Sequence, residues 1–196
     1  YLIGGKYIFI FSLSDNISFE ENGLVISNED GTQKGPIVRL SNQGVFVIWG
    51  ETCGNYTCDG LYIQHVTTED GITLESQGKD VFSGINGNCE FQKSIYLGNN
   101  ENLIYWQDRR FSPLQNLTYG MKFSDINSLS ENQDGVSLSN NAYQSNATIV
   151  SAGSNLFMGF DQTDGDINQF YDILDYNLSS ILGQSVGVDA NNLYSQ

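Results

Sequence analysis

The segment from Ile37 to Leu74 constrains the fold of this chain more than any other part of its sequence. Its apolar or alternating runs are separated by polar connections and are, in order, Ile37–Leu40, Val45–Trp49, Leu61–Val66 and Ile72–Leu74. The connections Ser41–Gly44 and Thr68–Gly71 are four residues long and end in glycine, which is typical of tight β-turns. The segment therefore predicts a four-stranded antiparallel meander.

Weaker copies of this meander precede and follow it. The aromatic residues that end the second run of each copy lie 38, 57 and 54 residues apart, and they are Phe11, Trp49, Trp106 and Phe160. Four-stranded repeats of roughly 40–50 residues are typical of β-propeller blades, because a single twisted sheet cannot bury both of its faces alone. We therefore predict an all-β fold of antiparallel four-stranded meander repeats, arranged as a β-propeller-like ring or an open stack of about four blades.

The repeats predict one continuous domain, since 196 residues make one ordinary domain and leave little room for two. The approximate repeats are 1–34, 35–92, 93–145 and 146–184, and 185–196 begins a further, partial repeat. We expect this terminal segment to pair beside the first repeat and close a ring, or to pair with a neighbouring molecule.

A resemblance to a known class follows from the best-preserved copy. The motif combines Val47–Trp49, Glu51, Leu61–His65 and the turn Glu69–Gly71, and it is echoed by Ile104–Asp108. This pattern resembles the secreted β-propeller-type repeat proteins of cell surfaces. The resemblance implies a propeller-like architecture and a surface location, and it implies no particular reaction because such repeats are a scaffold for many activities.

The charge of the chain limits its partners. With 8 Lys and Arg against 23 Asp and Glu, the formal net charge is −15. Nucleic acid and anionic membranes both require a basic protein surface, so we expect binding to neither. No apolar run approaches the length of a membrane span, so we expect no membrane insertion.

Potential N-glycosylation sites favour an extracellular location. Five Asn-x-Ser/Thr sequons occur in or beside predicted loops and turns, at Asn16, Asn55, Asn116, Asn146 and Asn177. Each would accept an N-linked glycan in a secretory pathway. We therefore predict a secreted or cell-surface glycoprotein.

The chain contains three cysteines, an odd number. Cys53 and Cys58 flank a short loop around Asn55 between two predicted strands, and a disulfide could close this loop. Cys89 would then be an unpaired buried thiol or would form an intermolecular link. The alternative is that all three are reduced core cysteines.

The densest acidic cluster raises the possibility of a calcium site. Oxygen-bearing side chains fall at positions 1, 3, 5, 9 and 12 of an EF-type count, and they are Asp164, Asp166, Asn168, Asp172 and Asp175. Gln169 replaces the glycine that such a loop requires at its sharp turn. The alternative to Ca²⁺ binding is a solvated acidic loop.

The sequence provides little support for catalysis. His65, the only histidine, lies within a predicted strand, and its neighbours in sequence supply no nucleophile, so we expect a packed or surface histidine. Loop carboxylates that follow the inner aromatics could instead act as a pair in glycoside hydrolysis, and these are Glu51, Asp59, Asp108 and Asp161. Tyrosines that could stack on sugar rings are Tyr56, Tyr105 and Tyr119. The neighbouring Asp108–Arg110 cluster is expected to form a structural ion pair.

Two functional hypotheses follow. The first is a non-enzymatic, structural or adhesive surface glycoprotein that associates with itself, or with other surface proteins and glycans, and forms filaments through terminal strands or an intermolecular disulfide. The second is a lectin or glycoside-active enzyme that uses the acidic and tyrosine-bearing loops. Beyond N-linked glycans and the candidate Ca²⁺, the sequence implies no cofactor.

Overall fold

The fold of the chain is all-β, with antiparallel sheets and almost no helix, as the repeats predict. The computed structural model describes residues 3–4, 7–8, 24–27, 32–52, 59–67, 69–74, 78–84, 90–110, 116–125, 128, 134–138, 144–164, 166–182 and 186–188. Within these residues, no helix is long and apolar enough to cross a membrane.

The strands form four sheets, numbered here in chain order. Sheet I is the hairpin β1 (Ile3–Gly4) and β2 (Tyr7–Ile8). Sheet II contains β3 (Thr32–Leu40), β4 (Gly44–Thr52), β5 (Asp59–Thr67), β6 (Gly71–Ile72) and β7 (Lys79–Gly84). Sheet III contains β8 (Glu90–Gly98), β9 (Glu101–Asp108), β10 (Leu117–Phe123) and β11 (Val136–Ser137). Sheet IV contains β12 (Gln144–Ala152), β13 (Asn155–Asp164), β14 (Asp166–Leu174) and β15 (Val186–Val188).

Each of the three larger sheets is the predicted meander. In each sheet the first strand pairs with the second, the second with the third, and the third with a short fourth strand. In sheet II both β6 and β7 pair with β5, so the predicted fourth strand Ile72–Leu74 is only part of that edge.

An aromatic pair recurs at the same register in all three sheets. Trp49 pairs with Tyr62 across β4 and β5, and Trp106 pairs with Tyr119 across β9 and β10. In both pairs the rings stack, with centroids 6.0 and 6.3 Å apart. The third copy of the pair is formed by Phe160 and Phe170, with centroids 5.9 Å apart. The repeat that the sequence predicts is therefore present in three dimensions, and Trp49 is the packing residue that its position suggests.

Apolar clusters between successive sheets form the core. The cluster between sheets II and III includes Phe46, Ile48 and Trp106. The cluster between sheets III and IV includes Tyr105 and Met158. On the opposite side of sheet II, the segment 24–27 contributes Ile26, which packs with Val47, Trp49 and Val66. Sheets II and III are therefore apolar on both faces, because each has a neighbour on both sides.

Two cations link the first strands of neighbouring sheets. From β3, the Arg39 guanidinium donates hydrogen bonds to the hydroxyl and carbonyl oxygens of Ser94 on β8. From β8, Lys93 Nζ donates to the Ala147 carbonyl oxygen on β12 at 2.8 Å and to Thr148 Oγ1 at 3.1 Å. The first strands of sheets II, III and IV therefore lie next to one another.

Three segments differ from the regular strands of the repeats. The segment 24–27 is not a strand, although it packs on sheet II. The acidic segment around Asp164 and Asp166 is a tight hairpin in which these two residues pair. Of the terminal segment 185–196, the structure describes Val186–Val188, which pairs with β14 as the fourth strand of sheet IV.

Candidate functional site

Two of the carboxylates considered for glycoside hydrolysis are buried beside tryptophan. Glu51 is 4% exposed and Asp108 is 1% exposed. Trp106 Nε1 donates a hydrogen bond of 2.9 Å to Asp108 Oδ2, and Trp49 Nε1 lies 3.5 Å from Glu51 Oε2. In this arrangement both carboxylates position indole rings in the core and do not face a substrate.

The Asp108–Arg110 pair is a structural ion pair, as the sequence predicts. Arg110 Nη2 lies 2.6 Å from Asp108 Oδ2, and Arg110 Nε donates to Asp108 Oδ1 at 3.0 Å. The guanidinium carbon lies 3.7 Å from the ring centroid of Tyr119. Burial raises the pKa of Tyr119, and the nearby Asp108 carboxylate raises it further, while Arg110 opposes both effects. The Asp108–Arg110 pair therefore packs on the Tyr119 ring, which stacks with Trp106 in sheet III.

The other members of the proposed carbohydrate site are not brought together with these two. Asp161 lies on sheet IV, where its Oδ2 accepts a hydrogen bond of 2.9 Å from Asn146 Nδ2. Tyr105 and Tyr119 are buried, so their ring faces are not open to a sugar. The side chain of Asp59 and all of Tyr56 lie outside the described residues.

The backbone of the candidate Ca²⁺ ligands is extended. Four of the five predicted ligands lie along hairpin strands, since β13 ends at Asp164 and β14 runs from Asp166 to Leu174. A strand rises about 3.3 Å per residue, so Asp166 and Asp172 are about 20 Å apart along β14. The side chains of Asp164, Asp166 and Asn168 lie outside the described residues, so the calcium site stays a prediction. Within the described residues, no group of three His, Cys, Asp or Glu side chains is placed to hold a metal.

Local hydrogen bonds occupy the last two predicted ligands. Asp172 is buried, and its Oδ1 accepts a hydrogen bond of 2.7 Å from Ser180 Oγ. Asp175 Oδ1 accepts hydrogen bonds from the backbone N–H groups of Asn177 and Ser179 at 2.8 and 2.9 Å. Both aspartates therefore stabilise the turn that follows β14.

The predicted modification sites are only partly described. Asn146 and Asn177 are exposed, which suits an N-glycan acceptor, and Asn116 is half-buried before β10. The sequon asparagines Asn16 and Asn55 lie outside the described residues. Cys53, Cys58 and Cys89 also lie outside them, so the disulfide and the unpaired thiol stay predictions.

A polar cluster around His65 is the arrangement that sequence reasoning missed. His65 is only 4% exposed, and its ring packs on Phe46 with centroids 4.7 Å apart. Its Nε2 lies 2.7 Å from Ser41 Oγ, and its Nδ1 lies 3.0 Å from Thr73 Oγ1. The histidine is therefore packed, as expected, but it has a serine hydroxyl that its neighbours in sequence do not supply.

Strand register explains why these three side chains meet. Phe46 pairs with His65 and Gly44 pairs with Thr67, so the residues of β4 and β5 that face sheet III lie side by side. Ser41 lies across the turn from Gly44, to which its backbone N–H donates a hydrogen bond of 3.0 Å. This turn places the Ser41 hydroxyl within hydrogen-bond distance of His65.

Close backbone approach makes glycine necessary at position 44. A Cβ placed on Gly44 would lie 2.0 Å from the carbonyl oxygen of Val66, a distance that no side chain tolerates. On the other side of His65, the Thr73 N–H donates a hydrogen bond of 2.9 Å to the His65 carbonyl oxygen. Thr73 is thereby held opposite the imidazole.

The hydrogen bonds select one tautomer of His65. The Thr73 hydroxyl lies 3.2 Å from the His65 carbonyl oxygen, to which it donates. Its oxygen therefore accepts the proton of Nδ1–H, and Nε2 is left with a lone pair that accepts from the Ser41 hydroxyl. Burial lowers the pKa of His65, which favours this neutral form.

The cluster opens into a cleft of about 310 Å³ between the β3–β4 turn and the end of β10. Its wall consists of Ser41, Asn42, Gln43, Phe46, His65, Ser124 and Asp125. A cleft of this size fits a small ligand, and its mouth is polar because Asn42, Gln43 and Asp125 are exposed. The cleft therefore brings together a hydroxyl, a neutral imidazole and amide groups, which is the chemistry of a small polar-ligand site.

The comparisons with known proteins assign no family to this fold or to this cleft. Neither the protein-family models nor the curated proteins include a match to this chain.

Proposed function

We propose that this chain is a structural or adhesive component of an extracellular surface, and that it associates with further copies through its terminal sheet. Its sheets act as the blades of a β-propeller-like ring or open stack of about four repeats. The observation that carries the proposal is the outer face of sheet IV, which is apolar and exposed.

The outer face of sheet IV consists of residues that alternate with the core residues of β12, β13 and β14. Its large apolar side chains are exposed, and they are Val150 (53% exposed), Phe157 (40%), Tyr171 (40%) and, on β15, Val186 (38%). Register places Val150 beside Phe157, and Tyr171 beside Val186. These side chains therefore form two cross-strand pairs on one face of the sheet, and exposed apolar groups of this kind are typical of an interaction surface.

The equivalent face is buried in the other two sheets. Aligned on the aromatic pair, Phe157 of sheet IV corresponds to Leu103 of sheet III and Phe46 of sheet II. Both of these residues are fully buried, Phe46 against sheet III and Leu103 against sheet IV. An additional sheet of the same type would cover the outer face of sheet IV in the same way, and a second copy of the chain carries such sheets.

This stacking is heterologous, because the outer face of sheet IV does not match itself. Within the chain, the face of each sheet that corresponds to Phe46 or Leu103 packs on the tryptophan or Met158 face of the next sheet. Contacts of this kind propagate from molecule to molecule and produce rings or filaments. Among the described strands, β15 lies at the edge of the same sheet, and an edge strand can pair with a neighbouring chain.

The proposed location rests on the sequons. Asn177 is exposed in the turn after β14, and Asn146 is exposed on β12, where it lines the same surface depression as Tyr171 of the outer face. Of these two sites, Asn177 is therefore the one that lies away from the proposed assembly face. Carbohydrate at these positions would not disturb the core. The acidic surface would keep assembled copies soluble.

Sedimentation velocity over a range of protein concentrations tests the proposal. The wild-type chain should associate as its concentration rises, and Phe157→Asp should remain monomeric because a charge on the outer face opposes burial. Leu40→Asp is the matched control, since Leu40 is 73% exposed at the end of β3 and lies off this face. A wild-type chain that is monomeric at every concentration, or association unaffected by Phe157→Asp, would overturn the proposal.

A further inference from the structure

We propose that Ser41 is a nucleophile that His65 activates for acyl transfer from small neutral or cationic esters bound in the neighbouring cleft. This activity is independent of the assembly through sheet IV, which lies on a different part of the molecule. Ser41 Oγ lies 2.7 Å from His65 Nε2, and this distance allows direct proton transfer between the two atoms.

The direction of the hydrogen bonds suits a general base. Because Nδ1–H donates to Thr73 Oγ1 at 3.0 Å, the lone pair of the neutral imidazole lies on Nε2 and faces the serine. Thr73 is itself fixed by its backbone hydrogen bond to His65, so the ring is held from behind. The order of serine, histidine and orienting group matches the logic of catalytic triads, with Thr73 at the third position.

Thr73 is a positioning residue and cannot act as a carboxylate does. It fixes the tautomer of His65, but a neutral hydroxyl stabilises the imidazolium less than an anion does. We therefore expect slow acyl transfer. In a serine protease triad, replacing the aspartate with asparagine lowers kcat by about 10⁴, which indicates the scale of the loss to expect.

The cleft determines the substrate class. Its volume of about 310 Å³ admits a small acyl group and leaving group, and excludes a folded polypeptide. The side-chain amides of Asn42 and Gln43 lie on the wall next to Ser41 and offer N–H donors to a developing oxyanion. Asp125 lies on the same wall, so its negative charge disfavours anionic esters.

The reaction balances without a cofactor. Ser41 Oγ attacks the ester carbonyl carbon, and the hydroxyl proton moves to His65 Nε2 as the new C–O bond forms. The bond to the leaving alkoxide then breaks, and this group departs as an alcohol with the proton from Nε2. Water next attacks the acyl-serine, with His65 again taking the proton and returning it to Ser41, and a carboxylic acid is released.

Covalent labelling of the folded chain with an alkyl fluorophosphonate, located by peptide mass spectrometry, tests this proposal. The probe should form one adduct, at Ser41, with loss of fluoride. The labelling rate should fall at least about tenfold in His65→Gln, because the general base is gone. Thr73→Val should slow labelling less, and should also shift its pH profile, because the Nδ1 partner is lost.

Matched controls separate activation from mere accessibility. Ser154→Ala removes an exposed hydroxyl in the β12–β13 turn, outside the cleft, and should label at the wild-type rate, whereas Ser41→Ala should not label. In the wild-type chain, labelling should decline as the pH falls through the pKa of His65, which burial lowers below its ordinary value of 6.5, because protonated His65 cannot accept the serine proton. The proposal is overturned if the folded wild-type chain gives no adduct, if the adduct is on another residue, or if a folded His65→Gln variant labels at the wild-type rate.

Discussion

The glycines that contact the two tryptophans provide a quantitative test of the repeat. Gly135 has a φ of +64°, and a Cβ added to it would lie 2.6 Å from Trp106 Cη2 and 2.9 Å from the carbonyl oxygen of Gly120. Gly78 repeats this arrangement with a φ of +80° and distances of 2.6 Å to Trp49 Cη2 and 2.9 Å to the Ile63 carbonyl oxygen. Gly135→Ala therefore combines backbone strain with steric overlap.

The expected loss of stability follows from these two contributions. A non-glycine residue in the left-handed region costs about 1–2 kcal/mol. Overlap with a packed indole ring and a backbone carbonyl adds about 1–3 kcal/mol, because the core cannot relax fully. We therefore expect Gly135→Ala, and likewise Gly78→Ala, to lower the free energy of unfolding by about 2–5 kcal/mol.

Urea unfolding followed by tryptophan fluorescence measures this loss, and Gly153→Ala is the control. Gly153 has a φ of +63°, but among the described residues no heavy atom lies within 4 Å of the added Cβ. The control should lose only the backbone contribution of about 1–2 kcal/mol. Equal losses in Gly135→Ala and Gly153→Ala would refute the close contact between glycine and tryptophan.

Two further predictions concern charged and titratable groups. Arg110→Ala leaves the buried Asp108 carboxylate without its ion-pair partner and should lower the free energy of unfolding by about 3–5 kcal/mol. Lys122→Ala removes a half-buried, solvent-accessible pair with Glu101 and should cost less than about 1 kcal/mol. Equal losses in urea unfolding would refute this difference. Burial lowers the pKa of His65 below its ordinary 6.5, so the unfolded chain binds this proton more readily than the native chain. The stability that His65 contributes is therefore complete above pH 6.5 and is lost as the pH falls through the lowered pKa. Thermal unfolding of the wild type should show a larger loss between about pH 7.5 and pH 5 than that of His65→Gln, and parallel curves would contradict this prediction.

The architecture could be predicted from the sequence because the meander carries its signal locally. Alternating runs, glycine turns and a recurrent aromatic identify the strands, and in sheets II and III these features recur 57 residues apart, as Trp49 and Trp106 show. The hairpin from β13 to β14 was missed because Asp161, Asp164 and Asp166 resemble a polar loop. Both strands continue through these acidic residues because β13 and β14 pair along their full length.

The cleft could be predicted only in part. The turn before Gly71 fixes Ile72 opposite Val66, and therefore Thr73 opposite His65, so this contact follows from the sequence pattern. The contact between Ser41 and His65 depends on the register of β4 against β5. These two strands are joined by the loop 53–58 and not by a tight turn, so their register could not be predicted from the sequence.

The roles of the acidic residues were also hidden from the sequence. Glu51 and Asp108 each follow a tryptophan by two residues, which places both side chains on the same face of a strand. That spacing predicts the contact with the indole N–H. Carboxylates at these positions could equally be interpreted as a catalytic pair. Burial distinguishes the two interpretations, and it depends on the neighbouring sheet.

Negative-stain electron microscopy of the native material, combined with its intact mass before and after enzymatic removal of N-linked glycans, is the most direct test of assembly and glycosylation. We expect rings or filaments built from stacked copies, and a protomer mass that falls when the glycans are removed. Monodisperse single particles whose mass does not change on this treatment would contradict both the assembly and the extracellular location.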